Sequence, residues 1–280
     1  MLDAFQHPFM QRAFLMTLIA AVPFGLIGTF VVVRRIGTLA GGIAHCAFGG
    51  IGIGVFLQYV VAVTWQQAQL AKWFEPMTVA VVVSVLAALV IGAVRLYAKE
   101  REDTLVGVIW VVGMSVGLLL LERTPGNVNV SHFLFGNILL ITNADLFSIS
   151  FLSVVVLVIV ALSFKRLEAV CFDEEYAKLR GVWTAGYFQL LLVLTALTVV
   201  LLVRVVGVIL VIAMLTLPAA TAGRLTQRLL PMALLAVLFG GVASFIGLIV
   251  SYHTNIASGP TIVLIAATGY LLSFWACKRV

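Results

Sequence analysis

With 280 residues, 63% hydrophobic and only 10% charged, the chain carries far too little charge for a soluble domain, in which roughly a quarter of residues are charged. Seventeen basic and eleven acidic side chains give +6, an excess that in so apolar a chain reads as loop placement, not as a nucleic-acid footprint. Cys46, Cys171 and Cys277 make no CxxC pair, so neither a disulfide framework nor a thiolate metal site is signalled.

A membrane-crossing helix needs about 20 apolar residues. In chain order the uncharged runs cover 13–33, 36–71, 76–94, 104–121, 146–164, 181–203, 205–223 and 229–277. The first ends at Arg34-Arg35 without a cleavage site, so it is expected to be a span and not a signal peptide. The second exceeds one helix and closes in a wet loop over 64–75. The last holds two spans, parted by SYHTN (251–255) and SGP (258–260). The expectation is an all-α polytopic membrane protein with eight or nine transmembrane helices, eight if one segment is re-entrant, forming one transmembrane domain over 1–280. Gly37/Gly41, Gly50/Gly54 and Gly113/Gly117 have the spacing that lets helix backbones approach. Pro23 and Pro218, inside spans, predict kinks or local unwinding.

Two segments between spans stand out. SHFLFGNILLI (131–141), after the ThrProGlyAsn turn at 124–127, is apolar but too short to cross, and reads as a short helix at one membrane face. CFDEEYAKLRGV (171–182) is a polar island that reads as a two-turn helix over about 172–182. Phe172, Tyr176 and Leu179 fall at i, i+4 and i+7 and share a face. Asp173, Glu174 and Glu175 suit the positive end of the helix dipole, Lys178 and Arg180 the negative end, and Gly181 is placed to stop the helix. A helix this short does not hold itself together, so it needs a partner to dock on.

Basic residues set the orientation. With the N-terminus outside and the C-terminus cytoplasmic, the inner side carries thirteen: Arg34, Arg35, Arg95, Lys99, Arg101, Lys165, Arg166, Lys178, Arg180, Arg224, Arg228, Lys278 and Arg279. The outer side keeps four, Arg12, Lys72, Arg123 and Arg204. This places 172–182 in the cytoplasm, on the side that offers ATP, and 122–145 outside.

Several stretches resemble one family. GTFVVVRRIGTLAGGIAHCAFGG (28–50), HFLFGNILLIT (132–142), AKLRGV (177–182), RVVGVILVIAMLTLPAATAGRL (204–225) and SYHTNIASGPTIVLIAATGYLLS (251–273) together resemble the membrane permease subunit of zinc/manganese/iron-type metal ABC importers. The resemblance implies a permease without bond chemistry of its own, fed by an extracytoplasmic solute-binding protein and paired with a second permease copy. It implies that the helix around 172–182 is the coupling helix seated on the ATPase, with Phe172, Asp173, Tyr176, Leu179 and Gly181 carried over as coupling residues. No GxxxxGK[ST] occurs, so ATP is used by a separate subunit. The cargo it implies is a Zn, Mn or Fe ion.

His45, a polar ring within an uncharged run, is the candidate metal residue of the pathway. A hydrogen-bonded packing histidine is the bland alternative. Aligned on the resemblance, the family's usual Asp one turn earlier falls at Gly41, a second frequent Asp falls at Asn137, and a further His is missing from 109–117. Two accounts compete: a permissive pore, or a cargo other than a bare cation, such as a chelate. His132, Asn137 and Asp145 are candidates for the outer mouth, with surface solvation the alternative. Gly207, Pro218 and Thr221, with Gly223, make the following helix the candidate pore-lining element. His253 reads as solvated, His7 as without a role, and Arg204 as snorkelling to the outer surface. Cys46 adjoins His45 but points about 100° away on a helix, so it reads as a small apolar residue. A stand-alone secondary transporter would need intramembrane carboxylates, which the uncharged spans do not supply.

Overall fold

The computed structural model describes residues 8–64, 68–97, 102–125, 130–136 and 141–276. Twelve α-helices occur among them: α1 (Pro8–Arg34), α2 (Gly37–Val63), α3 (Ala68–Ala71), α4 (Pro76–Tyr97), α5 (Glu102–Arg123), α6 (Val130–Phe135), α7 (Asn143–Phe172), α8 (Glu174–Leu179), α9 (Thr184–Val206), α10 (Val211–Leu225), α11 (Leu229–Thr254) and α12 (Ser258–Ala276). Eight of these are long and apolar enough to cross a membrane. The run 205–223 supplies α10, of 15 residues, shorter than the usual span.

Burial sorts the helices. Of the central window of α1, 72% is buried, and of α9, 67%, against 17% for α5 and 22% for α7. α1 and α9 are therefore the core of the bundle, and α5 and α7 present broad apolar faces outward. Phe24, Ile27 and Phe30 of α1 and Phe188, Leu191 and Leu192 of α9 are almost completely enclosed. α1 packs mainly against α11, α7, α10 and α9, whereas α2 is flanked by α4 and α5.

The glycine pairs explain the second group. A Cβ on Gly49 would sit 2.7 Å from the Gly113 carbonyl, and one on Gly52 2.5 Å from that of Gly117. On the other flank, a Cβ on Gly50 would lie 2.6 Å from Cα of Ala80, and one on Gly54 2.7 Å from Cα of Pro76. α2 thus meets two neighbours backbone to backbone, the close approach that small residues permit.

The turns follow from local chemistry. Arg35, at φ 59°, ends α1 by a Schellman motif, with its amide bonded to Val32 O and the Ile36 amide to Val31 O. Gly181, at φ 77°, repeats the motif after α8, with Gly181 N to Lys178 O and Val182 N to Ala177 O.

Three expectations change. The short helix does not start at Phe172: α7 runs on through it, Asp173 breaks the chain at φ −149° and ψ 100°, and α8 begins at Glu174. The run 205–223 is not one helix, because α9 extends to Val206 and α10 begins at Val211. The interruption falls at Gly207, φ 87°, while helix continues on both sides of Pro23 and Pro218, so neither proline unwinds its helix. The segment expected around 131–141 is helical over Val130–Phe135, and residues 137–140 lie outside the described residues.

Candidate functional site

Two places gather the residues singled out above. The first is the middle of the bundle. His45, on α2, is only 6% exposed, and its ring stacks on Trp110 of α5 with centroids 4.1 Å apart and planes 20° from parallel. Its Nδ1 is buried and meets no hydrogen-bond partner among the described residues. One turn earlier, a Cβ on Gly41 would stand 2.7 Å from Cδ1 of Ile212 on α10 and 3.3 Å from the Trp110 ring. Gly41 is thus crowded by the end of the Ile212 side chain and by the Trp110 ring. Cys46 turns to Ile109, its Sγ 3.6 Å from that carbonyl, and does not share the face of His45. Among the described residues no three His, Cys, Asp or Glu side chains stand together as a metal site. A lone neutral imidazole can ligate a passing first-row metal ion but does not amount to a closed resident site.

The pore-helix candidates divide. Pro218 and Thr221 are buried, and the Thr221 hydroxyl donates to Leu217 O of its own helix, so it is committed to local bonding. Gly207 is buried at the break between α9 and α10, where the amides of Val208 and Ile209 donate to Phe133 O and Leu134 O of α6 at 3.1 and 3.3 Å. A Cβ on Gly207 would collide with Leu134 O and the main chain of Phe135–Gly136. One on Gly259, near the start of α12, would collide with Phe135 O and Val206 O. α6, the break and the start of α12 thus meet main chain against main chain. His132 lies on α6, its side chain outside the described residues, and Asn137 lies outside them altogether. Asp145 completes the capping box of α7, whose N-cap is Thr142: its Oδ2 accepts from the Thr142 amide at 3.1 Å and from its hydroxyl at 2.7 Å. It also lines a cleft of about 130 Å³ that Glu75, Thr78 and Ser148 share. His253 is exposed.

The second place is α8. Asp173 is its N-cap, accepting from the Tyr176 amide at 2.8 Å, so this residue shapes the helix. Ala177 is buried, while Phe172, Tyr176 and Leu179 are 60%, 50% and 88% exposed. Arg180 donates from Nε to the Tyr176 hydroxyl at 2.9 Å. The sequence reading missed two neighbours. Trp183, 76% exposed, stands at the start of α9 just past the Gly181 turn, a second exposed aromatic near α8. Glu174 turns inward and pairs with Arg34, with Arg95 3.6 Å from the same oxygen. Its i, i+3 spacing to Ala177 marks the inner face of α8.

A bundle with this many apolar crossings, one buried imidazole and an exposed aromatic patch on a two-turn helix defines a polytopic membrane transport protein. The chain belongs to the ABC 3 transport family, whose model matches residues 6–277. It is 39% identical over 278 residues to the "Probable metal transport system membrane protein" of Chlamydia pneumoniae, covering 99% of this chain and 92% of that one. It is 30% identical over 272 residues to the "Manganese transport system membrane protein MntC" of Listeria monocytogenes, covering 96% and 91%. Among solved structures, PsaBC from Streptococcus pneumoniae in complex with Fab matches with TM-score 0.85 at 30% identity, over 99% of this chain and 95% of that one. The protein is therefore a multi-pass membrane permease of an ATP-binding-cassette transport system.

Proposed function

We propose that this chain is the permease of an importer that carries a divalent transition metal, zinc, manganese or iron, into the cytoplasm. The names of the relatives support the metal, and one observation carries the importer mechanism: the exposed patch of Phe172, Tyr176, Leu179 and Trp183 on and beside α8. In this reading the patch lies outside the membrane, where apolar surface of this kind suits protein binding. Its occupant in this reading is a separate ATPase subunit. ATP binding closes the ATPase dimer, α8 follows, and a pathway between this chain and a second permease copy alternates between outward and inward access. An extracytoplasmic metal-binding protein delivers the cargo at the end where α6 meets the break between α9 and α10. His45 offers the passing ion an imidazole nitrogen, and the permease breaks no bond.

The test is Tyr176→Arg in the assembled complex. The variant is expected to lose uptake and stimulated ATP hydrolysis while the permease still purifies as a monodisperse species. Uptake at the wild-type rate would remove α8 from the coupling role. One observation favours a second cargo within the same mechanism. Position 41, one turn before His45, is a glycine and offers no anionic ligand, which suits a metal chelate better than a bare ion. Uptake of labelled metal with and without a saturating chelator separates the two cargoes.

A further inference from the structure

α8 is six residues long, and its chain neighbours α7 and α9 provide its main packing contacts. Its first turn has three carboxylates with three different fates. Asp173 caps the helix, Glu175 faces solvent, and Glu174 alone turns back toward the bundle. Oε2 of Glu174 accepts from Nη2 of Arg34, the last residue of α1, and lies 3.6 Å from Nη2 of Arg95 in the last turn of α4. Both guanidinium groups also stand over the ring of buried Phe188 on α9, Arg95 with Cζ 3.8 Å and Arg34 with Cζ 5.9 Å from its centroid.

We propose that Glu174 is a positioning residue of transport. It ties α8 to α1 and α4 at once, so that a stroke received by α8 reaches both helix groups. The inference rests on the reading of α8 as the ATPase-docking element. Its force comes from connectivity. α8 is covalently continuous with α7 and α9, but not with α1 or α4. α1 carries α10 and α11 with it, and α4 carries α2, on which His45 stands. α9 already packs on both α1 and α4 along the bundle, and Glu174 adds a polar tie to the same two helices at the end where the drive enters. The Phe188 face holds the two like-charged guanidiniums together over one carboxylate, through cation–π contact. Side-chain exposures of 16% for Arg34 and 39% for Glu174 leave the joint half-solvated, so its hydrogen bond to Arg34 and ion pair with Arg95 can break and re-form within a cycle.

The experiment uses the full complex, with ATPase subunit and binding protein, in liposomes. In Glu174→Gln the ATPase is expected to co-purify at the wild-type ratio and basal hydrolysis to persist, while cargo moved per ATP falls at least tenfold. Arg34→Gln/Arg95→Gln is expected to give the same loss, with no further loss when Glu174→Gln is added, and Glu174→Asp to recover at least half of the ratio. An unchanged ratio in Glu174→Gln overturns the proposal. A loss that merely tracks departure of the ATPase also overturns it, by reducing Glu174 to a docking residue. If no ATPase co-purifies even with the unaltered chain, the docking role of α8 itself fails, and this inference with it.

Discussion

At the scale of single residues, the pairing of His45 with Trp110 is the feature that most constrains mechanism. A histidine inside an uncharged span was legible from sequence, because a polar ring at membrane depth stands out against its neighbours. Its partner was not. Trp110 sits on another helix, in a stretch of apolar residues where nothing local distinguishes it. The same stack bears on Gly41: Ile212 and the Trp110 ring crowd that glycine, so a side chain at 41 requires the isoleucine end to swing aside and the indole to shift slightly. His45→Gln keeps a polar amide of similar reach and removes the imidazole ligand. We expect uptake in reconstituted complexes to fall about tenfold or more with assembly unchanged. Loss of an aromatic stack worth about 0.5–1.5 kcal/mol lowers the melting temperature by only a few degrees. Unchanged uptake kinetics in this variant would reduce His45 to a packing residue.

At the scale of elements, two glycines with positive φ do different work, and a pair of alanine substitutions separates them. Gly181 ends α8 at φ 77° with open space around it. Gly207 breaks α9 from α10 at φ 87° with the main chain of α6 pressed against it. Gly181→Ala meets only the left-handed backbone penalty, about 1–2 kcal/mol. Gly207→Ala meets that penalty and overpacking of about 1–3 kcal/mol besides. Thermal melts of the purified permease are expected to rank Gly207→Ala clearly below Gly181→Ala, and the reverse order would contradict the packing at the break. The sequence carried the first stop plainly, since Gly181 closes a polar helix with cations in its last turn. The second was hidden. Residues 205–223 are apolar throughout, two prolines drew attention elsewhere, and the interruption depends on α6, a segment distant in the chain. The inward turn of Glu174 was hidden for the same reason. Three adjacent carboxylates all suit a helix N-terminus, and the two arginines that single one out lie in other helices.

At the scale of the whole molecule, the question is which end faces the cytoplasm. α9 begins beside α8 and ends at the break that packs on α6, so its 23 residues set the α8 end and the α6 end about 34 Å apart. Arg34, Arg95, Arg166, Lys178 and Arg180 gather at the α8 end, while Glu75 and Asp145 line a cleft on the helices that descend from the opposite one. On the positive-inside rule we propose that the α8 end faces the cytoplasm, the side where ATP is found. The prediction is made on a background with Cys46, Cys171 and Cys277 replaced by serine or alanine. Leu179→Cys reports the α8 end from a residue 88% exposed, and Ile256→Cys reports the turn between α11 and α12 from a residue 59% exposed. A membrane-impermeant maleimide added to intact cells is expected to label Ile256→Cys and spare Leu179→Cys, with the pattern reversed in inside-out vesicles. Labelling of Leu179→Cys from outside would invert the chain in the membrane. It would also leave the exposed aromatic patch on the side without ATP, and the coupling role of α8 would fall with the topology.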